Sequence, residues 1–421
     1  MKSYFTTNLS LPARCLVAAS ILLCASVIVA QEHSREELFK VTGSDTNASD
    51  EFGISVAVSG NIAVVGSPLD GQTTGDSGAA YVFDVATQRQ RYKLTPTDNV
   101  GYGEFGHAVA IEDNIAIVGS SGTTSSVGAA YVFDLNTGQQ LFKLTGSDST
   151  PQDWFGLSVA LSGNIAIVGA QHFMGPGSAY LFDLTTGREV FKLSASDAAA
   201  GDLFGVSVGI SGSTAIVGAR RDDDHGESSG SAYLFDVATG EQLAKLTGSD
   251  AAAQSNFGRS VAIRDDVAVV GSTGPAYTSG SAYMFDVNTG QELGKLSPPD
   301  STVEDYFGWS VGISDHIVVV GSPFLGLDDF TDETSSAFLF EMSTGRELAQ
   351  LMPHDTLPSH HLGYAVGISG DIVVVGAPWD DDRGVWAGAA YFFSAVPESN
   401  NVVILGIGAG VIYFASCRRR E

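Results

Sequence analysis

Between Gln31 and Val396 the sequence contains no cysteine. That excludes a disulfide framework, a thiolate metal site and a cysteine nucleophile from the body of the chain. Cys15, Cys24 and Cys417 all lie in the terminal segments. Basic residues are scarce, 21 against 48 acidic ones, for a net charge of −27. Such a surface repels phosphate backbones, so nucleic acid is excluded as a partner. Helical periodicity is missing from the body. So are a nucleophile elbow, a zinc-protease motif and a phosphate-binding loop. With 44% hydrophobic residues the chain is no disordered acidic tail. It can bury a core as one large repeat domain or as two ordinary ones.

What the body has is a repeat. A Phe-Gly pair recurs at Phe52-Gly53, Phe105-Gly106, Phe155-Gly156, Phe204-Gly205, Phe257-Gly258 and Phe307-Gly308, and a seventh copy reads Leu362-Gly363. Each copy carries four short β-branched or aromatic runs. In the first copy, Ser55 to Val58 is followed by a tight Ser59-Gly60 turn and by Ile62 to Val65. Turns that short, with Gly or Asn, predict hairpins. A longer polar loop leads to Ala80 to Phe83. An Asp-x-x-Thr-Gly turn, clear at Asp134 to Gly138, then leads to the fourth run, such as Leu141 to Leu144. The Asp accepts from nearby amides and the Gly takes positive φ.

The second runs, such as Ile165 to Val168, are apolar on both sides, so each is sandwiched between two other sheets. Seven small sheets packed in this way close radially. The last copy stops after its third run, Tyr391 to Phe393, while an orphan fourth run, Leu38 to Val41, precedes the first copy. The expected fold is therefore all-β: a seven-bladed β-propeller of four-stranded antiparallel blades over residues 31–396, closed by the N-terminal strand joining the last blade. Such closure removes the free edge that invites aggregation.

The pattern Phe-Gly-x-Ser-Val-Ala, then Val-Gly-Ser-Pro, then Ala-Tyr-x-Phe, explicit between Phe52 and Phe83, resembles the FG-GAP repeats of the integrin α-subunit propellers. The resemblance spans nearly all of residues 38–394. It implies a partner-binding face on the long-loop side, and calcium in Asp-rich loops between the first and second strands. Here those positions are two-residue turns, such as Ser162-Gly163 and Ser211-Gly212, too short for a cage of six to eight oxygens.

The two ends read as addresses rather than as fold. Residues 1–30 form a signal peptide: Lys2 and Arg14, then an apolar run from Leu16 to Ala30. Residues 397–421 carry Pro397-Glu398, an apolar stretch from Val402 to Ser416, and then Arg418, Arg419 and Arg420. As a helix that stretch is roughly 22 Å long against about 30 Å of hydrocarbon. The order resembles the bacterial PEP-CTERM sorting signals. It implies export, transient or retained membrane anchoring through the C-terminal helix, and a final place at the cell surface, in the envelope or in the extracellular matrix.

Acidic clusters between second and third strands are the candidate cation sites. Blade 4 has Asp222 and Asp224, blade 7 has Asp380 and Asp382, and blade 6 has Asp328, Asp329, Asp332 and Glu333. Calcium is the cofactor such loops suggest, and solvated surface charge is the competing reading. An Asp also recurs in register in every fourth-to-first loop: Asp45, Asp98, Asp148, Asp197, Asp250, Asp300 and Asp355. Recurrence in all seven copies argues for a loop anchor. The residue after each Phe-Gly is the variable one, running Ile54, His107, Leu157, Val206, Arg259, Trp309 and Tyr364. Lying on the innermost strand at the channel mouth, it is free to specialise. Trp379 and Trp386 bracket the blade 7 cluster in one loop. Trp309, Tyr364, Trp379 and Trp386 are the candidate ligand-binding residues, suited to stacking on sugar faces or to a protein hot spot; blade-to-blade packing is the alternative.

These features point to a non-enzymatic surface or matrix adhesion module that binds an extracellular protein or polysaccharide. A polysaccharide hydrolase or lyase on a propeller scaffold, recognisable by paired carboxylates across the mouth, is the rival. A passive envelope component is the third reading.

Overall fold

The computed structural model describes residues 34–35, 37–71, 78–98, 103–122, 127–275, 278–297, 306–323, 335–355 and 357–396. The signal segment, the sorting tail with Pro397, Glu398 and Arg418 to Arg420, the blade 6 acidic loop and Asp300 lie outside them. Among the described residues no helix is long and apolar enough to cross a membrane. Apart from one 3-10 turn at Pro358–His360, the regular structure is all strand.

The strands form seven sheets with consecutive order, each hairpin following the last. Blade 3 is representative: Phe155–Ser162, Ile165–Ala170, Ser178–Asp183 and Arg188–Leu193. The first strands touch one another in sequence and the seventh touches the first, so the ring is closed. Second and third strands are buried almost throughout, whereas fourth strands alternate exposed and half-buried residues. This gradient is what a radial stack imposes: the middle of each blade is covered on both faces, and the rim meets water.

Closure is as the sequence predicts. Glu37–Val41 pairs antiparallel with Ala389–Ser394 and completes blade 7. One further pairing carries no sequence signal. Ser34–Arg35 lies parallel to Glu347–Leu351, so the incoming chain also covers the outer edge of blade 6.

The core sits between blades, not within them. One cluster joins Val64, Val82 and Leu94 of blade 1 to Phe105, Val118 and Tyr131 of blade 2, and another joins Val374 and Phe392 of blade 7 to Phe52 and Tyr81 of blade 1. The Phe-Gly motif builds these seams. Phe and Gly occupy the two central positions of a tight turn: the Ile54 amide donates to Glu51 O at 3.2 Å, and the Leu157 amide to Trp154 O at 3.1 Å. The Gly has φ between +85° and +98° in the six Phe-Gly copies, the second central residue of a type II turn. The Phe turns inward and meets the third-strand Tyr and Phe edge-on, as Phe204 meets Tyr233 at 5.6 Å and Phe235 at 5.8 Å.

The same glycine makes the closest approach between blades. A Cβ on Gly205 would lie 2.2 Å from Ser178 O of blade 3, and one on Gly169 would lie 2.1 Å from Gly205 O. The motif serine stitches across the seam as well. Ser55 Oγ donates to Gly106 O at 2.7 Å, and Ser158, Ser207, Ser260 and Ser310 repeat the bond to the next blade at 2.9 Å. Blades 2 and 7 have Ala108 and Ala365 in that place.

Gly205→Ala should therefore destabilise by about 3 kcal/mol or more, through both φ and the blade-to-blade clash. Gly212→Ala, at φ +54° in open space, should lose only about 1 kcal/mol. Chemical denaturation midpoints of the two variants test this; equal losses would refute the seam role.

Candidate functional site

The start of each first strand and the long loops share one end of the ring, and there the central channel opens. Its wall is formed by the first strands, and the residue after each Phe-Gly lines it: Ile54, His107, Leu157, Val206, Arg259, Trp309 and Tyr364, around a cavity of about 210 Å³. The mouth is asymmetric. Blades 1, 3 and 4 contribute aliphatic side chains, while blades 5, 6 and 7 contribute Arg259, Trp309 and Tyr364 in a row. These three touch: the Arg259 guanidinium lies 3.6 Å from the Trp309 ring centre, and the Trp309 and Tyr364 rings are 5.2 Å apart. Tyr306 meets the same Trp309 ring edge-on.

A second variable column, missed by reading only the residue after the motif, is the residue before it. Glu51, Glu104, Trp154, Leu203, Asn256, Tyr306 and His361 all have φ between +48° and +58°. Each is a non-glycine residue in the left-handed region, where a side chain is disfavoured by about 1 kcal/mol or more. Seven side chains are retained in conformations that glycine would adopt without strain, at the same position of seven turns. The signal was in the sequence: beside a uniform Phe-Gly, this column varies as widely as the one after it.

In blade 7 this column joins the loop tryptophans. His361 stacks on Trp379 at 3.9 Å, and Trp379 stacks on Trp386 at 5.4 Å. Trp386 is 47% exposed and ends the stack in solvent. Burial, with His360 beside it, pulls the His361 imidazole down to about 4, so the ring is neutral at pH 7. Trp379 is bonded to the Glu51 carboxylate. Burial and the charge of Glu104 hold the Glu51 carboxyl above its ordinary range, outweighing that bond. The four aromatic residues singled out by sequence thus fall into two groups, Trp309 with Tyr364 at the mouth and Trp379 with Trp386 above it.

The recurring Asp residues have a definite partner set. A tyrosine of the third strand and a lysine of the fourth converge on the six that lie among the described residues. Tyr180 Oη donates to Asp148 at 2.8 Å and Lys192 Nζ lies 2.6 Å from it; Tyr283 and Lys295 both reach Asp250 at 2.6 Å. The Lys and Tyr bonds hold Asp148 and Asp250 below the usual carboxylate range. These clamps tie each fourth-to-first loop to the blade it precedes. Blade 6 has lost both partners together, with Phe338 for Tyr and Gln350 for Lys. It is also the blade whose outer edge receives Ser34–Arg35.

The acidic clusters extend these clamps. Asp197, Asp222 and Asp224 bring carboxylate oxygens within 4.8 Å of one another, a metal-like grouping. Lys245 Nζ stands among them, at 2.6, 3.0 and 2.5 Å. Burial disfavours its charge, but the bonds to Asp197, Asp224 and Asp222 outweigh burial and raise its pKa. In blade 7, Lys40 likewise lies 2.8 Å from Asp380 and 2.6 Å from Asp382. A calcium ion at Asp222 and Asp224, or at Asp380 and Asp382, would have to displace a bonded ammonium. His360, with its Nδ1 3.3 Å from Asp380, adds a further partner in blade 7.

A propeller whose blades are joined by Phe-Gly turns, with its variable residues gathered at one mouth, defines a repeat-propeller scaffold of the kind that presents a binding face. FG-GAP repeats match residues 36–83, 89–133, 139–182, 188–235, 241–285, 291–340 and 346–393. The chain belongs to the FG-GAP repeat family. Each match begins with the fourth strand of one blade and ends with the third of the next, the same offset that closes the ring. No curated protein matches the chain.

Two outcomes follow from these contacts. Lys245→Ala should free three carboxylates and create terbium luminescence that the wild-type chain lacks at the same concentration; equal signals would refute the role of Lys245 as the resident cation. Asp50 supplies a pH effect. It is buried, its carboxylate accepts the Asn47 amide at 2.6 Å, and burial pushes its pKa up to about 6. The unfolded carboxyl titrates near 3.9. The folded state therefore binds that proton more tightly, and stability falls as pH rises from about 4 through about 6. Asp50→Asn should raise stability by on the order of 1 kcal/mol at pH 8 and leave it near wild type at pH 4. Thermal midpoints at both pH values decide it.

Proposed function

We propose that this FG-GAP propeller is an exported binding and adhesion module. Its long-loop face, centred on blades 6 and 7, recognises an extracellular polysaccharide or another surface protein. The observation that carries this reading is the convergence of aromatic rings at the mouth. Trp309 and Tyr364 come from two first strands, and Trp379 and Trp386 from one loop, with His361 and Glu51 between the groups. Stacked, partly exposed rings beside carboxylates suit the apolar faces and hydroxyls of sugars. Aromatic residues are also the usual anchors of protein interfaces. The integrin-like reading of the repeats supports the same face.

Export is supported by the ends of the sequence. The run from Leu16 to Ala30 serves as a signal peptide. Pro397-Glu398, the apolar stretch and Arg418 to Arg420 serve as a PEP-CTERM-like sorting signal. The chain then functions at the surface or in the matrix, with the C-terminal helix as a transient or lasting anchor. Nucleic acid is no part of this reading, given the charge of −27. Binding proceeds without calcium, a reading supported by the lysines that already neutralise the loop carboxylates.

The second reading, a polysaccharide hydrolase, is favoured by one observation: Glu51 and Glu104 precede the motif in adjacent blades, and burial together with the charge of Glu104 raises the Glu51 carboxyl above its ordinary range. A carboxylic acid so tuned beside a carboxylate is the pairing that glycoside hydrolysis uses.

Trp379→Ala with Trp386→Ala should weaken retention on immobilised polysaccharides at least tenfold while the melting temperature stays within a few degrees of wild type. Unaltered retention would move the site off blade 7. Reducing ends released from the retained polysaccharide, and lost in Glu51→Gln, would replace the binding reading with the hydrolase.

A further inference from the structure

In a chain of net charge −27 every lysine among the described residues has a carboxylate partner. Lys40, Lys93, Lys143, Lys192, Lys245 and Lys295 all sit in aspartate clamps, and Arg91, Arg264 and Arg346 are also paired. Arg35, Arg89, Arg188, Arg221 and Arg383 form no ion pair among the described residues, and nor do two half-buried arginines near the channel mouth. Arg220 leaves the end of the second strand of blade 4, and its Nε is buried without a hydrogen-bond partner. Arg259 follows Phe257-Gly258 in blade 5 and lines the channel. Neither forms an ion pair among the described residues.

Arg220 and Arg259 leave adjoining backbone: a Cβ on Gly258 would lie 3.2 Å from Ala219 N of the neighbouring blade. Burial, with the charges of Arg259 and Arg221 beside it, lowers the pKa of Arg220 to about 10. Burial also lowers Arg259, and its charge reaches His107 on the far side of the mouth. Desolvated like charges without a counter-charge oppose folding. The sequence had 48 acidic residues with which to neutralise them, and Glu51 and Glu104 stand on the same rim without bonding to either. Trp309 carries the Arg259 guanidinium over its ring face, with Cζ 3.6 Å from the ring centre, and the N–H fork has no carboxylate partner among the described residues. A planar, pre-oriented fork is the group that binds a carboxylate or sulfate in two-point fashion.

We propose that the blade 4–5 sector of the mouth is an anion site, in which Arg220 and Arg259 receive the carboxylate or sulfate of an acidic polysaccharide whose neighbouring units extend over the aromatic sector of blades 6 and 7. The inference rests on the binding reading above and names its ligand class. An acidic glycan fits better than an acidic protein surface. The mouth is an open depression of about 210 Å³ ringed by the seven first strands, a concave seat that suits a sugar unit better than a flat protein surface. The adjoining contacts are ring faces rather than a broad apolar patch.

The test uses the purified full-length chain and its Arg220→Gln, Arg259→Gln double variant. Calorimetric titrations with a galacturonate tetramer, its methyl ester, a sulfated galactose tetramer and a tetraglutamate peptide supply the arms. The expected result is binding of an acidic tetramer by the wild type, at least tenfold weaker binding by the double variant, and little binding of the ester or the peptide. The galacturonate and sulfated arms tell carboxylate from sulfate. Equal binding by wild type and variant overturns the proposal, as does absence of binding to both acidic sugars, or tighter binding of the peptide.

A second readout separates recognition from architecture. Arg220→Met should raise the ligand-free melting temperature, because it removes an unpaired buried charge. A fall would mean that Arg220 supports the fold, and would overturn the assignment. If the Trp379, Trp386 variant loses neutral glycan while the arginine variant keeps every ligand, the binding reading stands and the anion site falls.

Discussion

The structure depends on one contact: the carbonyl and Cα of the motif glycine pressed against the neighbouring blade. Gly106 O lies where a Cβ on Gly66 would stand, at 1.9 Å, and accepts from Ser55 Oγ at 2.7 Å. No side chain fits on either strand at this point, so the backbones themselves meet. That closeness sets the blade spacing at the axis and allows seven small sheets to share seams of Phe, Tyr and Val. The type II turn that presents the carbonyl also drives Phe into the core and sets the residue after Gly on the channel wall. One local geometry thus makes the packing and displays the variable side chains.

Charge follows the same division. At the blade edges the acidic excess is neutralised locally, where Lys and Tyr from a blade hold the Asp of the preceding loop. These clamps are partly exposed and individually modest, but they fix the long loops that carry the rim residues. At the mouth, neutralisation stops. Arg220 and Arg259 lack partners, Glu51 is held above its ordinary pKa, and seven non-glycine residues sit at positive φ. Seven successive blades repeat the same positive-φ position beside the motif, a strain that the shared turn imposes on every copy.

The candidate site was legible in part. Trp309 and Tyr364 stood out because the column after Phe-Gly varies while its neighbours do not, and the structure places that column on the channel wall. Trp379 and Trp386 stood out by rarity, and they stack. The column before Phe-Gly was equally variable but went unread, because its importance comes from the left-handed turn that points it at the rim. The aspartates of the blade 4 and blade 7 loops read as cation ligands, since sequence does not show that Lys245 and Lys40, from the fourth strands, reach into the same loops. Arg220 carried no signal in the sequence, and the burial of its Nε without a partner is a fact of three dimensions.

Sequence by itself determined the element types, the seven-fold count and the closure. Runs of β-branched residues between Gly turns have few other ways to bury both faces, and an orphan fourth strand at one end matches a missing one at the other. Tertiary structure alone decided which side chains meet across blades. Arg259 with Trp309, Lys245 with Asp197, and Ser34–Arg35 with the edge of blade 6 are encounters between segments tens to hundreds of residues apart. They are fixed by the radial spacing of the seams, a quantity that no local pattern encodes.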